Sequence, residues 1–113
     1  MEKTFGSILK AERQEKGISQ RDLAEAIGVD FSYISKVENN RLPPPAADTI
    51  VRLAQALGIP SERLLVQSGK VSSEITEAIS SSEGALRFLN EVKTMNLTSD
   101  EWAALTSNLK SLR

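Results

Sequence analysis

The sequence predicts an all-α fold, and three observations carry that reading. Apolar residues recur at three- and four-residue spacing almost throughout. No segment alternates apolar and polar residues like a strand over more than a few positions. Capping and breaking residues punctuate the pattern at short intervals. A chain of 113 residues suits one domain, or one compact domain with a short extension. Aromatic residues make up 4%, so the core must come mainly from Leu, Ile, Val and Ala.

The first helix is expected over residues 4–16, with Phe5, Ile8 and Leu9 on one face and Gly17 placed to end it. Ser19 then caps a short second helix whose inward residues are Leu23, Ala24 and Ile27. Gly28 and Val29 follow, and Asp30 is expected to cap a third helix from Phe31 to about Asn39. That helix turns Ile34 and Val37 inward and partly covers Tyr33. The run Pro43-Pro44-Pro45 cannot be helix interior and makes residues 41–47 a stiff loop. A fourth helix over 48–57 presents Ile50, Leu53, Ala54 and Leu57; Gly58-Ile59-Pro60 breaks it. A short fifth helix over 61–67 contributes Leu64, Leu65 and Val66.

The tail keeps the same period. Val71, Ile75, Ala78 and Ile79 fit one helical face, and Ser80-Ser81-Ser82 interrupts the chain. Ala85, Phe88, Leu89, Val92 and Met95 fit another face. Thr98-Ser99-Asp100-Glu101 has the pattern of a capping box and opens a helix with Trp102, Leu105, Leu109 and Leu112 on one side. Such stripes must be buried against something. The expected division is therefore a domain over residues 1–68 and a helical C-terminal extension over 69–113.

Composition narrows the chemistry. The chain has no cysteine and no histidine, so the usual ligands of zinc, thiolate chemistry and the commonest general base are all missing. No pair of carboxylates is spaced for catalysis and no phosphate-binding loop is present, so the expectation is a non-enzyme without a cofactor or metal. The formal net charge is −1, with nine basic and nine acidic residues over 1–67 and five and six over 68–113. Any affinity for nucleic acid must come from where the charges sit. Neither a signal-peptide core nor a membrane span of about 20 apolar residues is evident, which predicts a cytoplasmic protein with no membrane partner.

Residues 19–40 have the anatomy of a helix-turn-helix. Ala24 is small enough for two helices to approach, Gly28 permits a tight turn, and Leu23, Ile27, Val29, Ile34 and Val37 are the pegs that fix the interhelical angle. This leaves Phe31, Ser32, Ser35 and Lys36 on the outer, N-terminal part of the second helix of the pair, where side chains reach base edges in a major groove.

The run Ile8-Leu9-Lys10-Ala11-Glu12-Arg13, then Lys16-Gly17-Ile18-Ser19-Gln20, Leu23-Ala24, Ile27-Gly28-Val29, Tyr33-Ile34-Ser35, Val37-Glu38-Asn39 and Leu53-Ala54-Gln55-Ala56-Leu57-Gly58-Ile59 resembles the phage-repressor, Xre-type (λ-repressor-like) regulators. The likeness covers residues 5–67. It implies a five-helix DNA-binding domain, here followed by the helical extension. The tail, with the Leu-Pro-Pro-Pro loop before it, is more weakly similar to a bacterial subgroup with a helical C-terminal extension.

Position by position, the resemblance implies that Phe31, Ser32 and Lys36 read bases, with Ser35 beside them. Lys36 suits guanine, and Phe31 departs from the polar residue often found at its position: it either packs on a thymine methyl or shields the core. Gln20 matches a residue that binds phosphate and braces the recognition helix. Asn39, Asn40 and Arg41 follow that helix where the family meets the DNA backbone. Arg21 and Tyr33 are further phosphate candidates, although Arg21 also fits a solvated charge and Tyr33 packing with an edge contact. Arg13 and Glu38 match an ion pair between the first and third helices. Ser35 is equally suited to bonding within its own helix.

One such domain makes few base contacts, so the implied partner is double-stranded DNA bound by a homodimer at a palindromic operator, usually for repression. The candidates for dimerisation are Phe88, Leu89, Val92, Trp102, Leu105 and Leu109; docking of the tail on its own domain is the other way to bury them. Two alternatives keep the fold. One is a protein-interaction adaptor without DNA binding, to which the near-neutral charge and Phe31 lend support. The other is the antitoxin of a toxin–antitoxin pair.

Overall fold

A computed structural model describes residues 3–113, and every regular element among them is a helix. Eight helices follow one another: α1 (Phe5–Glu15), α2 (Gln20–Ile27), α3 (Phe31–Glu38), α4 (Ala47–Leu57), α5 (Ser61–Ser68), α6 (Ser73–Ser80), α7 (Glu83–Val92) and α8 (Ser99–Ser111). Among the described residues, no helix is long and apolar enough to cross a membrane. The chain divides into two compact units, one ending at Thr76 and the other running from Glu77 to Arg113.

Local chemistry sets the ends of the helices in the first unit. Thr4 and Ser7 exchange side-chain-to-backbone bonds of 3.1 and 3.0 Å that open α1, and Gly17 closes it. The Ser19 hydroxyl accepts the Asp22 N–H at 3.0 Å and opens α2. Gly28, at φ +73°, donates to the Glu25 carbonyl at 3.2 Å, and Val29 donates to that of Ala24 at 2.9 Å. A side chain at Gly28 would be strained in this left-handed conformation, and the turn redirects the chain into α3 within three residues. Asp30 occupies the cap position of α3, but its side chain makes no capping bond. The first turn is closed instead by backbone, Tyr33 N–H to Asp30 carbonyl at 3.0 Å.

The core of this unit is mainly aliphatic. Leu9, Leu23, Ile34, Ile50, Leu53 and Leu64 are wholly buried, with Phe5, Ala24, Ile27, Val37, Ala54, Leu57, Ile59 and Leu65 around them. Ile8, Val29 and Tyr33 pack at its edge. Gly6 brings α1 against the end of α3: a Cβ there would stand 2.7 Å from the Glu38 carbonyl oxygen and collide with that of Val37. Val66, expected inside, is 72% exposed, because the face of α5 that carries Leu64 and Leu65 is the one turned to the core.

Beyond α5 the first unit is tied back by polar groups. Lys70 Nζ donates to the carbonyls of Pro44 (3.2 Å) and Pro45 (2.8 Å), and the Asp48 carboxylate accepts the Ser73 N–H (3.1 Å) and hydroxyl (2.8 Å to Oδ2). The Ser72 hydroxyl accepts the Ile75 N–H, so α6 starts at Ser73 and Val71 lies outside it, while Ile75, Ala78 and Ile79 share the helix as expected.

In the second unit, Ser82 caps α7 through the Ala85 N–H at 3.1 Å. Thr98 and Glu101 form the expected capping box at the start of α8, with bonds of 3.1 and 2.9 Å. Met95 lies beyond α7, which ends at Val92, in a turn onto the Val92 carbonyl before Asn96 at φ +49°, yet it lines one apolar groove with Phe88 and Val92. No residue from Glu77 to Arg113 is buried.

Candidate nucleic-acid interface

The α2–Gly28–α3 pair is held from behind by one buried carboxylate. Glu38 accepts from Arg13 Nε at 2.6 Å and from Arg13 Nη2 at 2.9 Å, a two-point ion pair between α3 and α1. Arg13 Nη1 also donates to the Ile18 carbonyl at 2.8 Å. Gln20 Nε2, from the first turn of α2, completes the set by donating to Glu38 Oε1 at 2.9 Å. The hydrogen bond to Glu38 raises the Arg13 pKa above its ordinary value, against the lowering effect of burial. A buried charge is tolerable only when its bonding capacity is used, and here three helices share the task. On the far side of the turn, an Arg52 Nη2 hydrogen bond to the Ile27 carbonyl links α4 to the end of α2.

Bracing from behind leaves the outer side of α3 free. Ser32 and Lys36, one turn apart, are exposed, and Phe31 at the head of the helix is 40% exposed. The Arg21 guanidinium lies over the Phe31 ring, 4.8 Å from its centroid. Ser35 is half-buried, and its carbonyl (2.9 Å) and hydroxyl (3.4 Å) accept from Asn39 Nδ2. Tyr33 is half-buried, and burial pushes its phenol above the ordinary pKa. Asn40 takes a left-handed conformation, φ +59°, and closes α3 by donating to the Val37 carbonyl at 3.1 Å, while Arg41 donates to that of Lys36 at 2.8 Å.

Sequence reasoning places all of these residues on or behind one surface, but it misses three features. Asn40 is the helix-ending residue as well as a phosphate candidate, a role that the pair Asn39-Asn40 before Arg41 allows, since Asn tolerates the left-handed region. Gly6 and Arg52 act through contacts 25 residues or more away in sequence, and local spacing carries no sign of them.

The tail residues form a separate feature in the second unit. Phe88, Trp102, Leu105 and Leu109 line an apolar groove of about 510 Å³ together with Ala85 and Leu112. Val92 lines a smaller neighbouring groove with Phe88 and Leu105, whereas Leu89 is half-buried and lines neither.

Comparison with known proteins agrees with this geometry. A family model described as Helix-turn-helix matches residues 9–64. The transcriptional repressor RghR of Bacillus subtilis is 34% identical over 94 residues, which span 83% of this chain and 69% of RghR. The chain belongs to the Xre-type helix-turn-helix family of transcriptional regulators. It spans little more than half the length of several other curated relatives it matches. Among solved structures, the biofilm regulator SinR in complex with DNA is similar over 55% of this chain and 98% of that chain, with a TM-score of 0.52 and 34% identity. A complex of SinR with SinI is similar over 95% of both chains at a TM-score of 0.53 and 23% identity, which is a likeness of fold.

Proposed function

We propose that this helix-turn-helix regulator acts as a repressor that binds a palindromic operator as a homodimer, laying α3 in the major groove of each half-site. One observation carries the reading: the outer face of α3 is open while its inner face is locked by the Arg13–Glu38–Gln20 set. Helices α1 to α5 form the DNA-binding part, and residues beyond about 68 serve dimerisation. Ser32, Ser35, Lys36 and Phe31 then read base edges. The second hydrogen of Gln20 Nε2, Tyr33, Asn39, Asn40 and Arg41 face the phosphates. Glu38, though it lies close behind this surface, does not repel the duplex, because Arg13 neutralises it. The uncovered groove of Phe88, Trp102, Leu105 and Leu109 supports a second copy as the partner of the tail, and pairing would let two α3 helices meet half-sites about 34 Å apart.

Selection of sites from randomised duplexes by the purified chain, followed by a salt titration, tests the reading. The expected result is an inverted repeat whose affinity falls steeply with salt. Binding that is absent, or flat with salt and sequence, favours the adaptor reading instead. Lys36→Ala should cost roughly 1–3 kcal/mol on the selected site and relax preference at one position of each half-site. An unchanged preference removes Lys36 from base reading.

A further inference from the structure

Arg21 and Phe31 belong to different helices, yet they meet as one unit. Arg21 lies in the first turn of α2 and Phe31 opens α3, and the Gly28 turn sets the guanidinium over the ring at 4.8 Å. A cation held over a ring face is attracted by the ring's electrostatics, and Arg carries five N–H donors, so the contact leaves donors for a base edge. No ion pair among the described residues takes Arg21. The ring itself remains open to solvent beside Ser32, on the face expected to meet the groove.

We infer that Arg21 and Phe31 together recognise a guanine and a thymine on neighbouring base pairs, Arg21 donating to guanine O6 and N7 while Phe31 packs on the thymine methyl. This rests on the proposal that α3 enters the major groove, and it moves Arg21 from the phosphate backbone to a base. The chemistry of the two groups matches the two base edges: a guanidinium fork fits the paired acceptors of guanine, and an apolar ring fits the one methyl that the groove presents. Because the guanidinium rests on the ring, 4.8 Å from its centroid, the edges that the two groups read must belong to neighbouring pairs. Phe31 thereby has two tasks, contact with the methyl and support of the guanidinium that reads the next pair. Lysine at position 21 would provide charge without the planar fork.

Site selection by the full chain and by Arg21→Ala, Phe31→Ala and Phe31→Leu tests this. The wild-type consensus should hold adjacent G and T in each half-site. Arg21→Ala should lose the guanine preference, Phe31→Ala should weaken both positions, and Phe31→Leu should keep the thymine while losing guanine. Replacing that thymine by deoxyuridine, or the guanine by 7-deazaguanine, should weaken wild-type binding roughly tenfold. The deoxyuridine effect should vanish in Phe31→Ala. An unaltered consensus for Arg21→Ala, with uniformly weaker binding and a salt slope reduced by about 0.9 for each subunit of the dimer, would put Arg21 on a phosphate and overturn the inference. A selected consensus without neighbouring G and T would overturn it too, while leaving the wider DNA-binding reading intact. Failure of the wild type to enrich any sequence would instead defeat that wider reading, and this one with it.

Discussion

The unit ending at Thr76 and the unit from Glu77 to Arg113 are made of helices of similar length with similar caps, yet they spend their apolar residues differently. In the first, α1 to α5 close over Leu9, Leu23, Ile34, Ile50, Leu53 and Leu64, and the charges they bury, Arg13 and Glu38, are paired. In the second, Phe88, Trp102, Leu105 and Leu109 line a groove that nothing in the chain's own unit fills, and Leu112 beside them is more exposed still. Helices of 8 to 13 residues are marginal by themselves, whatever their caps, and hold their form through packing. The first unit therefore buries an apolar core of its own, whereas on the proposed reading the second is completed by a second copy over the groove. A DNA reader must be rigid before it meets its target. A pairing element benefits from being completed by its partner.

The contrast can be broken most sharply at Glu38. Replacing it by alanine leaves the Arg13 guanidinium buried without its carboxylate and should cost about 3–5 kcal/mol in denaturant unfolding. Exchanging both residues for apolar ones of similar volume should recover much of that loss, and a single mutant as stable as the wild type would show that the pair is not a strut. Next, Leu53→Ala should destabilise the chain by about 2–5 kcal/mol at every protein concentration. Leu105→Ala should change unfolding of the dilute chain by less than about 0.5 kcal/mol while flattening the rise of Tm with concentration. Equal losses from the two leucine variants would erase the distinction between the units.

The smallest expected effect lies where the first unit ends. Hydrogen bonds from the Ser73 amide and then its hydroxyl hold the Asp48 carboxyl below its usual pKa. A group with a lowered folded pKa contributes at any pH above its ordinary value of about 3.9 and loses that contribution as pH falls through the lowered one. The protection factor of the Ser73 amide should thus fall only in acid, and Asp48→Asn should remove that acid dependence. Protection that falls between pH 8 and 6 would point to another group.

How much of this was legible in the sequence follows the range of each interaction. Helix ends set by neighbours three or four residues away could be read directly: Ser19, Gly28 and the Thr98–Glu101 box stand where their spacing puts them. Periodicity likewise marked Leu23, Ile27, Ile34 and Leu53 as core. It failed at Val66 and Val71, because an apolar residue near a helix end keeps the period on paper where the helix has turned its face away or not yet begun. The Arg13–Glu38 pair was reached only through family resemblance, and its link to Gln20 depends on three helices meeting. The stacking of Arg21 on Phe31 joins residues ten apart across a turn, and no pattern along the chain announces it.

The central claim is that α3 reads DNA from the first unit while the second supplies only pairing. The most direct test measures affinity of the full chain and of Leu105→Asp/Leu109→Asp for a selected palindrome and for one isolated half-site. The expected result is an unchanged half-site affinity with a loss of roughly a hundredfold on the palindrome, in line with removal of a second linked contact. Equal weakening on both duplexes would mean that the tail supports the reading surface itself, and unchanged affinity on both would mean that pairing through the groove has no part in binding DNA.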